Sequence, residues 1–140
     1  MPAFTTEAEV RLRLQLNDAT LAPPDLIAAA IGDAHEALLR RLAPEVDLND
    51  PPPLVVSGET FLAGAYTLRA LASRDAATQK HITIGGQRIA PGERFAALTR
   101  NAGDLEAAAW DWLAPFLAPA LPPALLAITD STPIFDEAES

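Results

Sequence analysis

The chain has no cysteine, which excludes disulfides and thiolate metal sites, so its stability must come from packing or assembly. Histidine is nearly as scarce, with two in 140 residues, and nucleophile-base-acid arrangements therefore have few members to draw on. Aromatic residues make up 6% of a chain that is 49% hydrophobic, and much of the difference is alanine, which favours closely packed helices over a large aromatic core. No apolar stretch approaches the roughly 20 residues of a membrane span. The amino terminus has early acids and lacks the apolar run of a signal peptide, so a soluble protein is expected, without a membrane partner.

Bases are missing from one region altogether. Residues 101–140 carry Asp104, Glu106, Asp111, Asp130, Asp136, Glu137 and Glu139 without a lysine or arginine, whereas residues 1–100 carry all ten bases against twelve acids. Affinity for a nucleic-acid backbone comes from clustered Lys and Arg, so this distribution argues against a nucleic-acid-binding surface. It suits a surface past which DNA moves without specific binding. An acidic tail kept for solubility accounts for the same charge.

What is present reads as one domain of helices punctuated by thirteen prolines. Thr6 followed by Glu9 has the capping-box form ahead of Val10, Leu12, Leu14 and Leu16, which predicts a short first helix, although every-second-residue spacing also fits a strand. Pro23-Pro24-Asp25 is a helix start, and Ile27, Ile31, Ala34, Leu38 and Leu42 predict a second helix that stops before Pro44. The run Pro44 to Pro53 reads as a stiff connector. A third helix is expected from Ser57 or Gly58 to somewhere between Ser73 and Ala77, with Phe61, Ala65, Leu68 and Ala72 as its stripe.

Between the third and fourth helices, HITIGGQRI predicts a β-hairpin at about 81–90, with Gly85-Gly86 as its turn. Ile82, Ile84 and Ile89 then share a face with Gln87, and His81, Thr83 and Arg88 the other. A two-stranded hairpin is marginal in water unless its apolar face is covered, either by the protein's own core or by a neighbouring chain. In the fourth helix Phe95, Leu98, Ala102, Leu105, Ala109, Trp112 and Phe116 step alternately by three and four, widened by Trp110 and Leu113. Gly103 costs about 1 kcal/mol relative to alanine inside a helix and marks a candidate close crossing. Pro115 is expected to kink or end the helix.

From Ala118 onward the sequence has no sustained period and reads as an extended arm, yet Leu125, Leu126, Ile128, Ile134 and Phe135 are too apolar for an idle tail. The arm docks on another protein or folds back over its own bundle. The fold class expected is mainly α: about four helices with one hairpin, forming a domain over residues 1–117, and an arm over 118–140.

The inventory for chemistry is thin, and neither a catalytic site, a cofactor nor a metal is expected. Asp33, His35 and Glu36 are near in sequence, but consecutive helical positions point in different directions, and neither HExxH nor a Glu-x-x-His pair is present. A small hydrolase built on them is the weakest reading. Gly85, Gly86 and Gly92 lack the Lys-Ser/Thr and the helix start of a phosphate loop. Arg11, Arg13, Arg40 and Arg41 form a modest basic patch or pair with acids nearby.

The order of elements, with DLIAAAIGDAHEALLRRL, the ITIGGQRI segment and FAALTRNAGDLEAAAWDWL, resembles the head-tail connector proteins of long-tailed bacteriophages, also called adaptor or head-completion proteins, over residues 5 to 117. The resemblance implies a structural virion protein, present in the host cytoplasm during assembly and then at the virion neck. Such a subunit forms a ring of about twelve copies under the portal protein, extends the DNA channel and joins the head to a stopper or tail-completion protein. It implies partner contacts through the hairpin (Ile82, Ile84, Arg88, Ile89) and through the arm (Leu125, Leu126, Ile128, Ile134, Phe135). Pro51 to Pro53 and the acidic tail depart from a simple member. The alternative from another class is a small helical regulatory protein, of antitoxin or anti-repressor type, whose arm binds a partner.

Overall fold

The computed structural model describes residues 2–84 and 91–119. Four helices make up the body: α1 (Glu7–Leu14), α2 (Pro24–Leu39), α3 (Pro53–Ile84) and α4 (Pro91–Leu113), with a 3-10 turn at Ala114–Phe116. α3 is the central element and packs against α1, α2 and α4.

Local signals account for the first two helices. The Thr6 side chain caps α1 by accepting from the Glu9 N–H at 3.3 Å. α1 ends at Gln15, which takes a left-handed conformation at φ 58° while Leu16 N–H closes back on Arg11 at 2.9 Å. Arg11 then fixes the connection to α2, donating to the carbonyls of Leu16 at 3.2 Å and Ala22 at 2.8 Å. α2 starts with Pro24 in its first turn, and its buried positions Ile27, Ala30, Ala34, His35 and Leu38 follow helical spacing.

α3 departs from the sequence expectation at both ends. It begins at Pro53 because the last proline of the triplet occupies a first-turn position whose N–H is not needed, and Val55 and Val56 donate to the Pro52 carbonyl at 2.9 and 3.2 Å. It continues past Ala77 because α4 runs antiparallel beside it, with Asp75 and Arg94 paired at 2.9 Å. The hairpin expected at 81–90 is not formed as read: His81 to Ile84 are the last turn of α3, while 85–90 fall outside the described residues. Extending an existing helix adds a hydrogen bond for each residue fixed, without a new nucleus, whereas an isolated two-stranded pairing is marginal. That difference overrides a three-residue alternation such as Ile82-Thr83-Ile84.

The core is built from alanine and branched aliphatics. Val10, Ala22, Ile27, Ala34, Leu62, Ala63 and Ala109 form its main cluster, flanked by a Leu38-Val55-Leu113 cluster and an Ala65-Leu68-Ala102 cluster. Because α3 has neighbours on several sides, Glu59, Thr60 and Thr67 are buried as well. The two threonines return their hydroxyls to Val56 and Ala63 carbonyls one turn back, at 3.0 and 2.9 Å. The α4 stripe is buried at Ala102, Ala109 and Leu113, but its ends emerge, with Phe95 42% and Trp112 38% exposed.

The close crossing is at Gly58, not Gly103. A Cβ on Gly58 would lie 2.5 Å from Leu113 Cγ, whereas one on Gly103 meets nothing within 4 Å. α4 stops at Leu113, two residues before Pro115, and the chain then doubles back on the end of α2. Leu117 forms an antiparallel bridge with Leu42, Ala43 N–H donates to Phe116 at 2.9 Å, and Ala118 N–H donates to Arg41 at 2.7 Å.

Candidate functional surfaces

The principal polar cluster of the interior lies where the amino-terminal segment crosses α2 and α3. Glu59, wholly buried on α3, accepts the Phe4 and Thr5 N–H groups on Oε1 at 2.6 and 2.9 Å, and His35 Nδ1 lies 2.5 Å from Oε2. Thr5 and Thr60 share a hydroxyl hydrogen bond at 2.6 Å, and the Phe4 ring meets the His35 ring edge-on at 4.9 Å. His35 Nε2 is buried without a hydrogen-bond partner. A buried carboxylate with three donors ties the segment before α1 to two helices.

This arrangement separates the acids read beside His35 in the sequence. Asp33 and Glu36 are exposed while His35 turns inward, so the three do not converge. The true partner, Glu59, is 24 positions away. A signal was available: His35 sits four residues after Ile31 and three before Leu38, and Glu59 four after Val55 and three before Leu62, all on inward-facing stripes.

Among the described residues, several arginines have ion-pair or ring partners of their own. Arg11 pairs with Glu7 at 2.8 Å and Arg40 with Glu36 at 3.4 Å, each within one helix. Arg13 lies 5.1 Å over the Phe61 ring, which stacks on Trp112 at 4.7 Å, and Arg41 lies 4.2 Å over Trp110. Arg69 bridges α3 to Glu106 of α4 at 2.6 Å. Beside that pair Tyr66 has its pKa raised above 10.0, chiefly by desolvation on burial and next by the Glu106 charge.

Two grooves lie at opposite ends of the α3–α4 pair. At the end where α3 starts, Val46, Pro52 and Phe116 contribute to a groove of about 330 Å³ whose remaining lining includes Glu45, Asp47 and Asp50. Leu48 and Leu54, 36% and 46% exposed, belong to this end. At the other end Leu16, Leu21, Leu71 and Leu98 line a groove of about 220 Å³ with Arg74 and Arg94. Leu21 is 58% exposed there, and Arg74 donates to its carbonyl at 2.5 Å.

No family model matches the chain, no curated protein matches its sequence, and no solved structure matches its fold. Of the contact residues read from the sequence, Ile82 and Ile84 fall in the last turn of α3. Arg88, Ile89, Leu125, Leu126, Ile128, Ile134 and Phe135 lie outside the described residues. The two grooves and their exposed leucines had no counterpart in the sequence reading, because exposure of an isolated leucine carries no periodic signal.

Proposed function

We propose that this protein is a non-enzymatic connector subunit that forms a ring under a virion portal, extends the DNA channel and joins the head to a stopper or tail component. The observation that carries the reading is the anchoring of Leu117 and Ala118 against Arg41 to Ala43. That pairing fixes the point where the helical body hands over to a carboxyl-terminal segment both acidic and apolar. A segment launched from a fixed base, bearing Leu125, Leu126, Ile128, Ile134 and Phe135, suits grasping a portal or an adjacent subunit. In this reading the second contact is made by Ile82 and Ile84, at the end of α3, with Arg88 and Ile89 of the connection to α4. The acidic carboxyl-terminal forty residues favour a channel past which DNA moves without specific binding. Ring symmetry multiplies contacts that are modest singly.

Native mass spectrometry of the full chain, and of a version ending at Leu117, tests this with and without a portal ring. Full-length chain is expected to join the portal in about twelve copies, the number the resemblance implies for a closed ring. The shortened chain is expected not to join. A monomer or dimer indifferent to portal, yet tight on a soluble regulatory partner, would overturn the reading in favour of the antitoxin or anti-repressor class.

A further inference from the structure

The two grooves are complementary in charge and both expose apolar side chains. Residues 43–52 hold Glu45, Asp47 and Asp50 without a base, and Leu48 stands between two of those acids. The second groove is lined by two bases, Arg74 and Arg94, against one acid, Asp75, and Phe95, next to Arg94 in the chain, is 42% exposed. One end therefore offers a leucine flanked by carboxylates. The other offers a leucine-walled groove with guanidinium groups at its edge.

A single chain cannot join its own two ends. Pro53 and Arg74 lie on one helix, and a rise of about 1.5 Å per residue puts them about 30 Å apart along it. Two different surfaces of opposite charge that cannot meet within a chain can form a heterologous contact between chains, which closes into a ring when its rotation permits.

We infer that the Leu16-Leu21-Leu71-Leu98 groove receives Leu48 of a second copy of this chain, with Asp47 and Asp50 of that copy facing Arg94. Arg94 is paired through Nε with Asp75 at 2.9 Å, and its side chain is 60% exposed. The contact is small, so it holds through repetition around a closed assembly rather than as an isolated dimer. It rests on the ring reading above, for which it supplies the joint between neighbouring subunits.

The absence of cysteine makes disulfide trapping clean. Full-length Leu48→Cys and Leu21→Cys chains, mixed under a mild oxidant, are expected to form the mixed disulfide in preference to either self-disulfide, at a rate that rises with concentration. Asp47→Lys with Asp50→Lys is expected to lower that rate about fivefold or more, and Arg94→Glu on the partner chain to restore it, as for a partly exposed charge contact. A single chain carrying Leu21→Cys and Leu126→Cys is the control for the carboxyl-terminal segment. Ready closure of that disulfide at every dilution, without Leu48 coupling, would overturn the inference and give the groove to the chain's own arm. Absence of both pairings would overturn it too. In either failure, portal-dependent assembly measured by native mass is a separate result, so this joint can fail while the connector reading stands.

Discussion

Glu59 and His35 meet inside the bundle with Oε2 2.5 Å from Nδ1, and both side chains are almost wholly out of water. The backbone N–H groups of Phe4 and Thr5 donate to the other oxygen, Oε1, so both carboxylate oxygens of Glu59 have partners. The pair joins α2 to α3 and holds the segment before α1 against both.

Glu59→Ala would leave the Phe4 and Thr5 N–H groups and the His35 ring without their interior partner and is expected to cost about 2–4 kcal/mol in urea unfolding, as buried polar groups lose a hydrogen bond. Glu59→Gln keeps an acceptor for the two N–H groups and should cost less. A double-mutant cycle with His35→Ala should give a coupling of about 1–3 kcal/mol. Additive losses would mean that the contact contributes little beyond packing.

Gly58 on α3 and Gly103 on α4 should respond in opposite directions. Gly103→Ala gains about 1 kcal/mol, because its Cβ enters open space in a helix interior. Gly58→Ala gains the same propensity but drives a methyl into Leu113, which is fully buried, so a net loss of about 1–2 kcal/mol is expected from overpacking. Thermal melts of the two variants, read side by side, test whether the crossing is where the structure puts it.

Gln15 is a non-glycine residue at positive φ, on the left-handed turn that ends α1. Gln15→Gly should raise stability by about 1 kcal/mol, reduced by the loss of its side-chain hydrogen bond to Leu12 at 3.2 Å. An unchanged or lower denaturation midpoint would show that the side-chain bond outweighs the backbone strain.

Tyr66 is the only tyrosine in the chain, so its titration can be followed by tyrosinate absorbance. Its folded pKa is raised above the ordinary 10.0, first by desolvation and then by Glu106. The unfolded chain therefore ionises first, and the stability contributed by the neutral phenol, complete below pH 10.0, falls as pH climbs through the folded value. Tyr66→Phe should flatten that alkaline decline, and Glu106→Gln should bring the phenol's titration closer to 10.0.

Several elements were legible in order and type. The Thr6 cap, the Pro24 start of α2, the stop of α4 ahead of Pro115 and the stripe centred on Ala102 and Ala109 each follow from residues within one or two turns of each other. The charge split along the chain is likewise a property of composition. These features depend on near neighbours, whose effects survive in any fold that keeps the helices.

Tertiary packing decided the rest. α3 runs to Ile84 because continuing a helix supported by α4 is favoured over nucleating a strand pair. Gly58 is the crossing point, and Gly103 is open, because only the antiparallel register of α3 and α4 brings Leu113 to one and nothing to the other. Glu59 finds His35, and Leu117 finds Leu42, across separations that no local period encodes. The sequence by itself determined where α1 and α2 begin, where α4 stops and where charge accumulates. Which buried faces meet, and so which polar groups and grooves are brought together, was decided by long-range packing, because burial is a relation between elements rather than a property of one.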